Sequence, residues 1–138
     1  MINAAIIGSG IGLKHFEAIN GYRNSKIKII CEKNSKKVKE LKLKLKYKNI
    51  KVVSNEKEIF RSKEINLVSI ASYDDDHFHQ IKKCIENNKH IIVEKPMCLN
   101  LKQLNKIKKL LKKKPKIKII SNLVLRANSL FLNFKKKN

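Results

Sequence analysis

Arginine is scarce in this chain: only Arg23, Arg61 and Arg126 occur, although 33 cationic and 11 acidic residues leave 138 residues with a net charge of +22. That shortage bears on the first function class to be weighed. A chain this basic attracts polyanions through long-range electrostatics. A nucleic-acid reader, however, concentrates its charge on one face and uses arginine for bidentate contacts to bases and phosphates. Here nearly all the cations are lysines, scattered through almost every segment, and lysine, isoleucine and asparagine are abundant together, as a drift toward AT-rich codons would produce. The charge reads as background, and no specific nucleic-acid partner is expected. Long apolar runs are also lacking. No stretch approaches the roughly 18 apolar residues of a membrane span, and Met1-Ile2-Asn3-Ala4 has neither the basic region nor the cleavage pattern of a secretion signal. A cytoplasmic protein without a membrane partner is expected. Cysteine is scarce and odd in number, and Cys31, Cys84 and Cys98 read as reduced, partly buried thiols rather than a disulfide frame or metal site. The length gives room for one domain with a real core and no second complete one.

Of the few glycines present, three crowd into Ile6-Ile7-Gly8-Ser9-Gly10-Ile11-Gly12-Leu13-Lys14-His15, where a hydrophobic strand runs into a turn and then a helix. Two phosphates approach a backbone closely only where no Cβ intervenes, and the free N–H groups and positive end of the following helix then bind them. Such turns also serve as plain packing devices. A second strand, Lys26-Ile27-Lys28-Ile29-Ile30-Cys31, ends at Glu32, 20 residues after Gly12. A dinucleotide site wants an acidic group at about that distance, to accept hydrogen bonds from the adenosine ribose; the alternative is a solvated strand-end charge. A carboxylate there repels a 2′-phosphate and favours NAD, while Lys33, Lys36 and Lys37 nearby leave NADP possible.

Periodicity predicts strands at Asn3–Ile7, Ile27–Cys31, Ile50–Val53, Leu67–Ala71, His90–Val93 and Ile117–Ser121. Helical faces lie between them: Leu13, Phe16 and Ile19; Val38, Leu41 and Leu45; Phe78, Ile81 and Ile85; Leu101, Leu104, Ile107 and Leu111. Asn55 with Glu58, and Asn100 with Gln103, have the spacing of capping boxes. Regular alternation predicts an α/β fold, a doubly wound parallel sheet of six strands in the order 3-2-1-4-5-6, with ligand-facing groups at the C-terminal strand ends.

Two loops stand out at those ends. Ala71-Ser72-Tyr73-Asp74-Asp75-Asp76-His77 carries a carboxylate cluster that favours the helix N-terminus after it. His77 and His79, two apart, point to different helix faces, so no metal is expected. Val93-Glu94-Lys95-Pro96 sets a lysine at a strand end between a carboxylate and a proline, where it could donate charge to a substrate oxygen. An ordinary surface Glu-Lys pair before a turn is the alternative.

Taken together, these residues resemble the N-terminal domain of the glucose-fructose oxidoreductase, inositol dehydrogenase and rhizopine-catabolism (Gfo/Idh/MocA) family. The likeness rests on the glycine turn with His15, Cys31-Glu32, the Ala71–His77 loop, Lys89-His90-Ile91-Ile92-Val93-Glu94-Lys95-Pro96, and the Asn122–Arg126 segment. It implies Gly8, Gly10, Ile11 and Gly12 at the pyrophosphate, Glu32 on the adenosine ribose, and Ser72, Tyr73 and His77 along the dinucleotide's path. It implies Glu94 among the cofactor-binding residues, and Lys95 both at the nicotinamide ribose and as the catalytic contact to a substrate hydroxyl. A cis bond before Pro96 is also implied. The implied substrates are sugars, nucleotide sugars or cyclitols, with hydride exchanged at a secondary alcohol. The chain departs from the family's usual pattern in the single residue between Gly10 and Gly12, in Tyr73 for proline, in Asp74 for asparagine and in Glu32 for aspartate. Family members continue into a second α/β domain that supplies substrate pocket and acid-base residues. Residues 1–122 are therefore expected as the cofactor domain and 123–138 as the start of a truncated connection, whose apolar Leu123, Val124, Leu125, Leu130, Phe131, Leu132 and Phe134 predict a frayed or self-associating tail. An inactive oxidoreductase fragment is expected; the alternatives are a silent nucleotide-binding module serving a partner chain and a basic nucleic-acid-binding protein.

Overall fold

The computed structural model describes residues 1–46, 48–124, 128, 129, 132 and 133. Leu125, Leu130, Phe131 and Phe134, part of the apolar tail named above, lie outside the described residues. Among the described residues, six strands, β1 (Ile2–Ile7), β2 (Ser25–Cys31), β3 (Lys51–Val53), β4 (Leu67–Ile70), β5 (His90–Val93) and β6 (Ile119–Ser121), alternate with five helices. The helices are α1 (Gly12–Gly21), α2 (Ser35–Lys44), α3 (Lys57–Arg61), α4 (Asp74–Glu86) and α5 (Leu101–Lys113). All strand pairs are parallel, in the order β3-β2-β1-β4-β5-β6. This is the doubly wound order, whose switch point falls at β1, where successive crossovers leave in opposite directions.

Central strands of such a sheet are buried on both faces, which is why β1 ends in the apolar run Ala4-Ala5-Ile6-Ile7. One face of the sheet packs Ile59, Phe60, Ile81, Cys84, Ile85 and Ile107 from α3, α4 and α5 against Ala5, Ile7, Val68, Ile70, Ile91 and Val93. The other face packs Ile19 of α1 and Leu41 of α2 against Ala4, Ile6, Ile27, Ile30 and Val52. The predicted helix faces lie on the core except in the first turns of α5, where Leu101 is 75% exposed and Leu104 is half-buried outside the core clusters, while Leu110 packs on the core beside Ile107 and Leu111. Ile50, Ile117 and Lys118 fall just outside their strands, and Ala71 follows β4.

The capping predictions divide. Asn100 Oδ1 accepts from the Gln103 amide at 3.0 Å, and Gln103 Oε1 reaches back to the Leu99 amide at 2.9 Å. Asn55 makes only a local turn to the Lys57 amide, because Glu58 is drawn to Lys51 Nζ at 2.6 Å, so no box forms there. The acidic triplet belongs to α4 itself: Tyr73 is the N-cap, and Asp74, Asp75 and Asp76 make up the first turn, where negative charge meets the positive end of the helix dipole.

The sheet's hydrogen bonds continue one residue beyond the ends of β1, β2, β4, β5 and β6. Gly8 N–H donates to Cys31, Glu32 N–H to Val53, Ala71 N–H to Ile7, Glu94 N–H to Ile70 and Asn122 N–H to Val93, all at 2.8–3.0 Å. The loops at the C-terminal edge therefore leave from a fixed ledge. No helix among the described residues is long and apolar enough to cross a membrane.

Candidate functional site

At that edge the glycine turn is shaped by three different constraints. Gly8 has φ +91°, and a Cβ placed on it would lie 2.3 Å from the Ala71 carbonyl oxygen. Only glycine allows the turn and β4's end to touch in this way. A Cβ on Gly12 would lie 2.8 Å from Ile6 Cγ2, so this glycine lets α1 sit tightly on the sheet. A Cβ on Gly10 would meet nothing within 4 Å. Gly10 lines a cleft of about 170 Å³ together with Gly8, Ser9, Glu32, Lys33, Lys37, Ser72, Tyr73 and Asp76, so its bare backbone face is open to whatever enters. Helix α1 begins directly after this turn with no side-chain cap and no acidic residue in its first turn; its Leu13 and Lys14 amides bond back to the Gly10 and Ile11 carbonyls at 3.3 and 2.9 Å, and its uncapped positive dipole end is left to an anion. Ile11, its N-cap, is 52% exposed.

Glu32 is buried and bonded to the turn. Its Oε2 accepts from the Ser9 amide at 3.0 Å and from the Ser9 hydroxyl, and its Oε1 from the Asn34 amide at 2.9 Å. Burial pushes its pKa up, but the Ser9 and Asn34 hydrogen bonds and the Lys37 charge outweigh burial and hold the carboxyl below its ordinary value. It stands as an ionised acceptor beside the glycine turn. Asn34 meanwhile caps α2 by accepting from the Lys36 and Lys37 amides. Cys31 also lines the cleft, but burial and the nearby Glu56 and Glu32 charges push its thiol up to about 12, so it stays protonated and unreactive. All three cysteines are free, Cys31 and Cys84 buried and Cys98 half-buried.

The later strand ends are tied by a network that no local sequence signal announces. His15 on α1 places Nδ1 2.6 Å from Ser69 Oγ and Nε2 2.7 Å from Glu94 Oε1, while Asn122 donates to the same Glu94 oxygen at 2.6 Å. Burial raises the Glu94 pKa, and the Asn122 and His15 contacts more than offset it, so Glu94 also lies below its ordinary value. Glu94 thus locks α1, β4, β5 and β6 together, and the exposed Lys95 follows it before a cis peptide bond to Pro96. Glu94 and Lys95 do not line the cleft that holds Gly10 and Glu32.

The Ser72–His77 loop divides in the same way. Ser72 and the 82% exposed Tyr73 line the cleft. His77, expected along the dinucleotide's path, is instead fully buried, with Nδ1 2.8 Å from the Pro96 carbonyl oxygen and Nε2 3.2 Å from that of Ser72. It braces the two loops from behind. The signal for this was present: His77 shares an i, i+4, i+7 face with the buried Ile81 and Cys84. Ser72 Oγ donates to the buried Gln80, whose amide continues to Glu56 at 2.8 Å.

A larger hollow of about 660 Å³ lies away from the glycine turn, lined by Lys28, Lys51, Arg61, Glu58 and Glu64 among others. Four of these charges meet in the pairs Lys28–Glu64 and Lys51–Glu58, and no sequence-predicted site residue lines it. Among the described residues, no group of three or more His, Cys, Asp or Glu is placed to hold a metal ion.

With the two site carboxyls held low, stability follows a definite pH course. Glu32 and Glu94 have folded-state pKa values below their unfolded ones, so the stability they contribute is full above the ordinary carboxylate range and is lost as pH falls through it. Urea melts between pH 6 and pH 3 are expected to show a steep loss below about pH 4.5, shallower in Glu94→Gln; equal slopes for the two proteins would count against this linkage.

Comparison with known proteins agrees with the geometry. Residues 2–122 match the Gfo/Idh/MocA oxidoreductase family, NAD-binding Rossmann fold. The chain is 31% identical over 113 residues to the uncharacterized oxidoreductase YdgJ of Escherichia coli K12, an alignment that covers 80% of this chain and 31% of YdgJ. The crystal structure of the probable oxidoreductase yhhX superposes with a TM-score of 0.84 at 26% identity, covering 99% of this chain and 40% of that one. Apo scyllo-inositol dehydrogenase from Lactobacillus casei superposes with a TM-score of 0.86 at 20% identity over 99% of this chain and 40% of that one, a likeness of fold. The chain spans about a third of the length of these curated relatives and about two fifths of the solved ones. Matched across residues 2–122 and folded as a six-stranded doubly wound sheet, the chain belongs to the Gfo/Idh/MocA oxidoreductase family and carries its NAD-binding Rossmann domain.

Proposed function

We propose that this domain binds a nicotinamide dinucleotide, NAD in preference to NADP, for an oxidoreductase acting on a secondary alcohol of a sugar, nucleotide sugar or cyclitol. The observation that carries the reading is the buried, ionised Glu32 fixed beside a glycine turn whose Gly10 backbone is bare toward the same cleft. A carboxylate has about four acceptor positions, and the two Ser9 donors and the Asn34 amide use three. One ribose hydroxyl bonds the remaining position, and a second takes the place of the Ser9 hydroxyl when that rotates away. Gly8 and Gly12 hold the turn, while Gly10, Ile11 and the positive end of α1 receive the pyrophosphate. Ser72 and Tyr73 line the path, with His77 bracing them.

When bound, the dinucleotide supplies the hydride acceptor or donor. Lys95 gives a charge-assisted hydrogen bond to the substrate hydroxyl and stabilises negative charge there. Glu94, held by His15 and Asn122, fixes the strand end from which Lys95 projects and stands beside the nicotinamide ribose. Residues 1–122 form the cofactor domain and 123–138 begin the connection to a substrate domain that supplies acid-base residues. On their own, these 138 residues bind dinucleotide, turn over no alcohol and associate through the apolar 123–138 segment; the compartment is the cytoplasm.

A titration followed by NADH fluorescence at about 0.15 M salt, where surface attraction is screened, tests this reading. Saturable binding that Glu32→Gln weakens by about tenfold or more is expected, since a hydrogen bond to a charged group contributes about 1.5–3 kcal/mol. Equal affinity in Glu32→Gln, or binding that added salt abolishes, would overturn it.

A further inference from the structure

We propose that Asp76 is a specificity-determining residue that disfavours a 2′-phosphate on the bound dinucleotide by holding Lys33, an inference that rests on the dinucleotide reading above. Four charged side chains line the cleft: Glu32 and Asp76, Lys33 and Lys37. They balance in sign. A 2′-phosphate on the adenosine ribose brings a further charge of about −1.5 to −2 to the neighbourhood of Glu32, and its natural receiver is Lys33, the next residue in the chain. Lys33 is already engaged, with its Nζ 2.6 Å from Asp76 Oδ2.

The engagement comes from another part of the fold. Lys33 follows β2, and Asp76 sits in the first turn of α4, where the helix's positive end stabilises its charge. Its amide donates to the Tyr73 carbonyl, so the carboxylate is carried by an ordered turn. The contact with Asp76 raises the Lys33 pKa, which keeps the ammonium charged throughout the neutral range. Glu32 already accepts from Ser9 and Asn34, and its remaining acceptor position is the one that the ribose hydroxyl takes in the dinucleotide reading, so Asp76 is the partner that holds Lys33. Lys33 also lines an adjoining hollow of about 300 Å³ beside Lys57, His79, Lys83 and the carboxylate of Glu56. Released from Asp76, it would stand at the ribose end of the cleft with the cations of this hollow outnumbering its one carboxylate, a setting that favours a phosphomonoester.

The pair is partly exposed, 59% at Lys33 and 37% at Asp76, so its strength is modest. Asp76 acts in two ways, through Lys33 and by its own repulsion of the phosphate, and a double-mutant cycle separates them. NADP and NAD are titrated at about 0.15 M salt against the wild-type chain, Asp76→Asn, Lys33→Ala and the double variant. Asp75→Asn serves as the control, an equal charge change on the neighbouring residue, which does not line the cleft.

Asp76→Asn is expected to raise the NADP-to-NAD affinity ratio about five- to twentyfold, a change of the order that one freed charged hydrogen bond gives. Most of that gain is expected to vanish in the Lys33→Ala background. The proposal is overturned if the ratio does not move, if it moves equally with and without Lys33, or if Asp75→Asn moves it as far. Intact NAD binding with an unmoved ratio overturns this proposal alone; loss of NAD binding in every protein, wild type included, overturns the dinucleotide reading with it.

Discussion

Replacing Gly8 by alanine is expected to cost about 3–5 kcal/mol of folding stability, on the order of 10–20 °C in Tm for a domain of this size. Two independent effects add. The residue stands at φ +91°, where an L side chain is strained by about 1–2 kcal/mol. The new methyl would also lie 2.3 Å from the Ala71 oxygen, 2.7 Å from its carbonyl carbon and 2.9 Å from the Ser72 nitrogen. All three are backbone atoms, and Ala71 is pinned by its amide to Ile7 at 2.8 Å, so no flexible side chain yields. Gly12→Ala is the informative contrast. Its obstacle is the γ-methyl of the buried Ile6 at 2.8 Å, a side-chain atom instead of backbone, which gives way only at the cost of overpacking a core around a stiff β-branched residue. A circular dichroism melt checks the expectation, and a Gly8→Ala protein melting within about 2 °C of wild type would contradict it.

Much of this architecture was legible in the sequence because the forces that set it act locally or with a simple period. Parallel strands buried on both faces need apolar runs, so β1, β4 and β5 announce themselves, and the alternation with helices fixes the handedness that orders the sheet. The tight turn at Gly8 and the place of Glu32 beside it were legible for the same reason: a close backbone approach requires glycine, and the residue that ends the second strand follows at a set distance along a βαβ unit. Asn100 was legible because a capping box is read within four residues.

What escaped was long-range. His15 meets residues 54 and 79 positions away, and Asn122 reaches Glu94 from the far edge of the sheet; spacing along the chain carries no trace of such contacts. Asn34 was missed as the cap of α2 because no glutamate or glutamine three residues on marks it. His77 was misplaced for a different reason. A histidine beside a predicted ligand loop invites a binding role, yet its helical phase with Ile81 and Cys84 puts it in the core. The partnership of Lys33 with Asp76 was equally hidden, since 43 residues separate them and both look like ordinary surface charges in a lysine-rich chain.

The second large effect is expected at Gly10, and it falls on binding instead of folding. A Cβ there meets nothing within 4 Å, and the backbone is not in the left-handed region, so Gly10→Val is expected to hold its melting temperature within about 2 °C. The isopropyl group would occupy the open side of the cleft, over the backbone that the pyrophosphate is to approach. Loss of that approach removes several charge-assisted hydrogen bonds at once, and about 2–3 kcal/mol, or roughly 30- to 150-fold in affinity, is expected. The electrostatic background does not change, because valine and glycine carry no charge. This is the property that makes Gly10 more discriminating than any lysine in a chain of net charge +22.

The central claim, that the glycine turn and Glu32 form a working dinucleotide site, is therefore tested most directly by one calorimetric titration: NADH into the wild-type chain and into Gly10→Val at about 0.15 M salt, with both proteins shown to be folded. A saturable wild-type isotherm, weakened at least about 30-fold by the valine, is the result this account requires. Identical isotherms for the two folded proteins would contradict it, because NADH would then be held by the lysine surface and not by the turn.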